Sequence, residues 1–322
     1  MLLTVAQPAK ALCCGFLYLL HKHNYMRYII SAMLLLTLAA GCKKKTDPKI
    51  IFKFEFDPNQ QRLDAFGQPA SMPAGHAGQN PAFNIITAHY IEMTPGALTP
   101  LGGGAVLYHA PEVTTGGATA IDFDQSKISG PGKTFFEMPL KNVSAGEYEY
   151  LRVSLAYQNY DVSLYYDTTV SGFHIQQEFP CTIASFIGYN TYISSYKIKN
   201  QSVTVNANKL QGYWGFESSG NIAGYPFNFV QTGQAPPGAT TVVNPLFATS
   251  PIPAGSCVVT AGFEGGKLKI TGNETEDIVV TVTLSNNKSF EWVEVVNDNK
   301  WEPAKGEYVV DMGIRGMKVS AQ

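Results

Sequence analysis

The stretch IIFKFEF at residues 50–56 indicates the fold class of this chain. Phenylalanines at positions 52, 54 and 56 alternate with Lys53 and Glu55. Side chains point to opposite faces of a strand with a period of two, so this stretch predicts a β-strand with one buried and one solvated face.

Short segments of the same kind recur through the rest of the chain, each rich in β-branched or aromatic residues. They are Ile85–Met93, Tyr148–Tyr157, Thr191–Lys199, Ser202–Asn206, Ile278–Leu284, Phe290–Val296 and Tyr308–Met312. Glycine-rich turn signals separate them, and no helical period longer than about three turns follows Cys42. Many short strands with frequent turns predict an all-β fold, an antiparallel β-sandwich, as a single domain over residues 50–322.

Composition agrees with a globular domain. Hydrophobic residues make up 45% of the 322 residues, enough for a sizeable core, while charged residues reach only 15%, below the usual share of about 25%. The net charge of −2 provides no basic surface, so we expect no nucleic-acid partner. Two Pro/Gly-rich stretches, 66–81 and 232–255, are interpreted as surface loops of one domain.

The N-terminal region carries an export signal. Arg27 precedes an apolar run at residues 29–40, which is too short for an ordinary transmembrane helix and ends in small residues before Cys42. This order resembles the lipobox of bacterial lipoproteins, in the relaxed form of Bacteroidota outer-membrane lipoproteins, with Ala39 where leucine is usual. The resemblance implies that Cys42 is lipidated and becomes the first mature residue.

The signal divides the chain into four parts. We interpret residues 1–25 as an upstream extension that is not translated, with an unusually long n-region of the signal peptide as the alternative. Residues 26–41 are the signal peptide, residues 42–49 the lipidated tether, and residues 50–322 the folded domain. Two or three acyl chains anchor stably. The aspartate that retains some lipoproteins at the inner membrane is missing just after Cys42, so we expect an outer-membrane location, with the leaflet left open.

If Cys42 is lipidated and residues 1–25 are not translated, two thiols remain in the mature domain, Cys181 and Cys257. Export places them in an oxidising compartment, where a pair tends to form a disulfide. The alternative is two buried free cysteines, and the sequence does not give their separation.

Histidines suggest a metal site. His76, His89 and His109 fall within a short stretch, with Glu92 and Glu112 nearby. Imidazole suits copper and zinc. The alternative is ordinary surface or half-buried histidine, which is the more frequent case.

A family resemblance covers about half of the mature chain. The segments AHYIEM (88–93), LYHAPE (107–112), VSAGEYEYLRVSLAY (143–157) and LQGYWGFESSG (210–220) resemble the MbnP-like family, copper-associated lipoprotein partners of diheme enzymes. The resemblance implies a periplasmic β-sandwich that binds copper and a redox partner protein. It also gives Trp214 a role at the metal, against the alternative of a tryptophan in the core or on a sheet face.

The C-terminal region contains a second candidate metal site. Residues 297–313 resemble the calcium-binding loops of secreted bacterial proteins, except that Lys300 replaces the turn glycine. Calcium takes six to eight oxygen ligands. The oxygen-bearing side chains here are Asp298, Asn299, Glu302, Glu307 and Asp311. The alternative is a polar hairpin loop before the last strand.

One modification motif is present. Asp167-Thr168-Thr169 matches the short O-glycosylation sequon of Bacteroidota, with Thr168 as the acceptor. Motifs of three residues are frequent by chance.

The functional prediction follows from the lipobox at Cys42 and from the enzyme motifs that the sequence does not contain. The sequence has no G-x-S-x-G, H-E-x-x-H, P-loop or C-x-x-C motif. We therefore expect a non-enzymatic, membrane-anchored lipoprotein that binds a ligand, or an outer-membrane or periplasmic protein, and the alternative is a periplasmic protein that binds copper or calcium. Four tyrosines are expected to form an exposed contact surface: Tyr157, Tyr160, Tyr165 and Tyr166. The alternative is an aromatic-rich sheet face that is covered by its own loops.

Overall fold

The computed structural model describes residues 47–63, 68–170, 172–222, 224–235 and 257–322. Residues 1–46, with the predicted signal peptide and Cys42, lie outside the described residues, as do parts of the two predicted loops. Residues 47–322 form one compact unit. Within the described ranges, no helix is long and apolar enough to span a membrane.

Twenty β-strands account for most of the described chain. They are β1 (Lys49–Asp57), β2 (His76–Gln79), β3 (Ala82–Thr94), β4 (Ala105–His109), β5 (Glu112–Val113), β6 (Ala120–Asp122), β7 (Thr134–Pro139), β8 (Gly146–Tyr148), β9 (Tyr150–Val170), β10 (Phe173–Phe186), β11 (Asn190–Lys197), β12 (Ser202–Leu210), β13 (Tyr213–Ile222), β14 (Tyr225–Gln234), β15 (Cys257–Gly262), β16 (Leu268–Ile270), β17 (Ile278–Ser285), β18 (Phe290–Val293), β19 (Val309–Asp311) and β20 (Met317–Ala321). The helical segments of the described residues are single 3₁₀ turns at Phe123–Gln125, Leu140–Asn142 and Pro303–Lys305.

Two large sheets organise these strands. A seven-stranded sheet has the order β14-β13-β10-β9-β3-β4, with β15 also paired to β9, and a four-stranded sheet has the order β20-β17-β1-β7. Most pairs are antiparallel, which confirms the predicted all-β sandwich-like fold. Two pairs run parallel, β1 with β17 and β6 with β11.

The main core lies between the inner faces of these two sheets. Phe52 and Phe54 of β1 are fully buried, as the alternation of residues 50–56 predicts, while Glu55 is exposed. They belong to one hydrophobic cluster with Val282 of β17 and Val153 of β9. A buried leucine- or phenylalanine-sized side chain contributes roughly 1.5–3 kcal/mol, so this cluster supplies much of the stability.

A β-bulge in β9 changes which face its side chains occupy. Thr87 and Ala88 of β3 pair with Tyr157 and Leu155, which leaves Ala156 as an extra residue on β9. An extra residue shifts the alternation by one. Leu155 therefore lies in the main core, and Tyr157 in a second cluster against β11 and β12.

This arrangement corrects the predicted tyrosine surface. Tyr157 and Tyr160 are 1% and 0% exposed, because each faces one of the two hydrophobic clusters. Tyr165 is half-buried beneath the Lys300 ammonium group, which lies 3.8 Å from its ring centroid. Tyr166 lines a cavity described below.

Candidate functional site

An open cavity of about 910 Å³ lies beside the main core. One wall is the face of the seven-stranded sheet formed by β9, β10, β13 and β14, and the other is the C-terminal segment from residue 301 to residue 313. Its apolar lining includes Ile175, Phe179, Ile183, Trp214, Phe216, Phe227, Phe229, Trp301 and Val309. Ligand pockets are typically about 300–1,000 Å³ and apolar with a few polar groups.

Trp214 forms part of the sheet wall of this cavity. It is opposite Gly233 in the β13–β14 pair, and a Cβ atom added to Gly233 would lie 2.4 Å from the indole ring. The absence of a side chain at residue 233 therefore lets the indole lie flat against the neighbouring strand. These surroundings are those of a tryptophan on a sheet face, which was the sequence-based alternative to a role of Trp214 at a metal.

Carboxylates at the C-terminal wall are already bonded within the protein. Glu307 Oε1 accepts from the backbone N–H groups of Val295 and Val296, and Glu307 Oε2 accepts from the N–H of Glu302. Asp311 accepts from the N–H of Gly313 and forms an ion pair with Arg315. These carboxylates therefore organise the loop and leave the cavity wall predominantly apolar.

The predicted calcium ligands are likewise engaged in contacts within the protein. Asp298 accepts from the N–H of Lys300 and lies 3.6 Å from its ammonium group, and Asn299 adopts a left-handed turn conformation. Glu302 is buried, and burial, together with Asp298 and Glu307, raises its carboxyl pKa. In the described residues, the structure does not gather three acidic side chains of this loop around one point.

The predicted disulfide is not formed, and the alternative of two buried free thiols is what the structure contains. Cys181 and Cys257 are both paired to the same edge of β9, opposite Val162 and Leu155 respectively. Seven residues of strand span roughly 23 Å, whereas a disulfide needs Cα atoms within about 7 Å. Burial raises the thiol pKa of Cys181 to about 11 and that of Cys257 to about 12.

A cluster of metal-ligating side chains lies at the β3–β4 pair. His89 Nε2 is 3.1 Å from His109 Nε2 and 3.0 Å from Glu112 Oε1, and the His109–Glu112 distance is 3.5 Å. No other group of three His, Cys, Asp or Glu side chains in the described ranges converges in this way. Tyr189 donates its hydroxyl to the same Glu112 oxygen at 3.0 Å.

Irregular strand geometry brings this cluster together. Ala88 and Tyr90 pair with the consecutive residues Leu155 and Ser154 of β9, so His89 is the extra residue of a β-bulge. Its carbonyl accepts from the N–H of Ala110, immediately after β4 ends at His109. Glu112 then begins β5. Bulges commonly redirect side chains beside functional sites.

Electrostatics favour a neutral imidazole and an ionised carboxylate in this cluster. The side chain of His89 is 1% exposed, and this burial lowers its pKa. The hydrogen bond from His89 holds the carboxyl pKa of Glu112 below its ordinary value, with further lowering from Tyr189. The other ring nitrogen of His89, Nδ1, has no hydrogen-bond partner among the described residues.

The remaining predicted site residues lie elsewhere. His76 Nδ1 is 2.6 Å from Glu291 Oε1, in a buried ion network with Arg62 and Arg315. It is therefore not part of the cluster that contains His89 and His109. Thr168 lies within β9, half-buried and opposite Ile175 of β10.

Two functional features were missed in the sequence. The strands β10, β13 and β14, which build the cavity wall, were not predicted, although aromatic residues alternate at 225, 227 and 229. Tyr189 carried no signal of its own, because it reaches Glu112 from the connection between β10 and β11.

Comparisons with protein-family models, with curated proteins and with solved structures found no match for this chain. The MbnP-like resemblance therefore stays a prediction.

Proposed function

We propose that this chain is a non-enzymatic, lipid-anchored protein of the outer membrane that binds a small, uncharged, predominantly apolar molecule. The observation that carries the proposal is the open cavity of about 910 Å³ between the β9–β10–β13–β14 face and the C-terminal segment. A large apolar pocket with few polar groups is the usual form of a small-molecule site.

The lining favours an uncharged ligand. The Glu307 carboxylate accepts three backbone N–H groups and the Asp311 carboxylate pairs with Arg315. A charged ligand would lose its hydration without gaining an opposite charge, which is costly in an apolar site. Burial of apolar ligand surface instead contributes about 25 cal/mol per Å².

Few polar groups are available for orientation. Ser185 and Gln231 lie in the lining, and a hydroxyl or an amide group can donate to a ligand oxygen. The indole of Trp301 also lines the cavity, but its Nε1 atom is fully buried, so this ring contributes apolar surface. The export and anchoring part of the proposal rests on the sequence at Cys42 alone.

Fluorescence titration of the full chain tests ligand binding. The probe is N-phenyl-1-naphthylamine, an uncharged aromatic amine, and the readouts are its emission and quenching of Trp214 and Trp301. Phe227→Asp places a charge in the cavity wall, and we expect it to weaken probe binding at least about tenfold, which corresponds to about 1.4 kcal/mol.

Tyr225→Asp is the matched control, because Tyr225 lies on the same strand, is 78% exposed and does not line the cavity. It should bind the probe as the wild-type chain does. No probe binding by the wild type, or equal binding by both variants, would contradict a ligand site in this cavity.

A further inference from the structure

We propose that His89, His109 and Glu112 form a binding site for a divalent transition-metal ion of the Zn²⁺ type, separate from the apolar cavity. None of these three residues lines that cavity. The site is therefore independent of the proposed ligand binding, and either can fail without the other.

Distances between the three donor atoms match the coordination shell of such an ion. They lie 3.0, 3.1 and 3.5 Å from one another. An ion bound tetrahedrally at about 2.0–2.1 Å separates its ligand atoms by roughly 3.3 Å. Small rotations of the side chains therefore suffice to bring all three atoms to a common ion.

The ligand types select the class of metal. Two imidazoles and one carboxylate suit Zn²⁺ and neighbouring transition ions, whereas Ca²⁺ takes six to eight oxygens and Mg²⁺ keeps an octahedral oxygen shell. His89 and His109 offer Nε2 atoms, and Glu112 adds one negative charge that offsets part of the charge of the ion.

Burial differs among the three ligands in a way that leaves one side open. The side chain of His89 is 1% exposed, that of Glu112 is 29% exposed and that of His109 is 46% exposed. The ion can enter from the His109 side, and a water molecule can complete a four-coordinate shell there. Tyr189 holds the Glu112 carboxylate in position through its hydroxyl.

Rigid placement further supports the site. His89 is fixed by the bulge in β3, and its ring contacts the rings of both His109 and Tyr189, at centroid distances of 4.9 and 5.4 Å. A preorganised set of ligands loses little conformational entropy when the ion binds.

The test is a titration of the full chain with Zn²⁺ alone, in equilibrium dialysis and in thermal melts. His109→Ala and Glu112→Gln each remove one ligand from a partly exposed position, so both variants should fold. We expect each to bind one Zn²⁺ equivalent fewer, or to bind that equivalent at least about tenfold more weakly, and to lose the rise in melting temperature.

His174→Ala is the matched control, since His174 is exposed and lies beside a single carboxylate, Asp167, at 2.6 Å. It should keep the wild-type Zn²⁺ stoichiometry. Ions bound at cysteines and histidines outside the described residues contribute equally to the wild type and to each variant, so they cancel in the comparison. Unchanged Zn²⁺ binding in both ligand variants would overturn the proposal. An equal stabilisation by Ca²⁺ would overturn the assignment to a transition-metal ion.

Discussion

Single residues in this protein join elements that the strand ladders alone would leave apart. Glu217 on β13 accepts hydrogen bonds from the backbone N–H groups of Lys199, Asn200 and Gln201, at 2.9, 2.9 and 3.0 Å. These three residues form the turn between β11 and β12. One buried carboxylate therefore attaches the four-stranded sheet of order β12-β11-β6-β5 to the seven-stranded sheet.

We expect Glu217→Gln to lower the free energy of unfolding by about 1–2 kcal/mol at neutral pH. Burial would raise the pKa of Glu217, but the three backbone donors and Lys199 hold it below its ordinary value of 4.5. Its contribution is therefore fully present above the unfolded-state pKa and is lost as pH falls through the lower folded-state pKa.

Urea unfolding at several pH values measures this effect. The difference between wild type and Glu217→Gln should shrink as the pH falls below about 4.5. Glu178→Gln, at an exposed position of β10, serves as the control and should have little effect at any pH. A difference that stays constant down to the lowest pH would contradict the assigned role of the charge.

Gly233→Ala is expected to displace the Trp214 indole from the neighbouring strand, because the new Cβ atom would lie 2.4 Å from the ring. Overpacking of this kind costs about 1–3 kcal/mol, and the displaced ring would narrow the cavity. A shift in tryptophan emission and weaker binding of N-phenyl-1-naphthylamine are the measurements. Gly262→Ala, where the nearest atom is 3.6 Å away, should change neither.

At the scale of elements, β9 controls much of the architecture. Its 21 residues pair with β3 on one edge and with β15 and then β10 on the other. The bulge at Ala156 turns successive parts of the strand toward different hydrophobic clusters. The length of β9 is also what keeps Cys181 and Cys257 apart.

This separation predicts that both cysteines are free thiols in the folded protein. Alkylation with iodoacetamide at pH 8, followed by peptide mass spectrometry, should modify neither Cys181 nor Cys257 in the native state, because both are buried with raised thiol pKa values. Both should react after denaturation without a reductant. Recovery of a peptide that joins the two cysteines would refute the prediction.

At the scale of the whole molecule, the two ends of the described domain meet in one sheet. β1 pairs in parallel with β17, and β17 pairs with the C-terminal strand β20. Val319 of β20 is fully buried opposite Val282, and its carbonyl accepts from the N–H of Glu264. The last strand therefore closes the core.

Val319→Asp should lower the free energy of unfolding by about 3 kcal/mol or more, because it places an unpaired carboxylate in the core. The neighbouring Lys318→Asp should stay within about 0.5 kcal/mol, since Lys318 is exposed on the same strand. Thermal and denaturant unfolding of both variants provides the comparison. Equal effects of the two substitutions would show that β20 does not close the core.

The amino-acid sequence by itself determined the all-β class and the strands with clear alternation. In β1, for example, the alternation of Phe52 and Phe54 with Lys53 shows which side chains share a face of the strand. It also indicated His89 and His109 with Glu112 nearby, since these residues lie close along the chain. Strands such as β10 and β13 escaped detection because polar residues interrupt their hydrophobic alternation.

Only the tertiary structure decided which distant residues meet. The bulge at His89 places this side chain beside His109 and Glu112 and not beside His76. The register along β9 separates Cys181 from Cys257. The cavity likewise arises where the C-terminal segment packs opposite β10, β13 and β14. Such contacts depend on which strands pair and on chain segments far apart in sequence, whereas local hydrophobic periodicity reports only which face of its own strand a residue occupies.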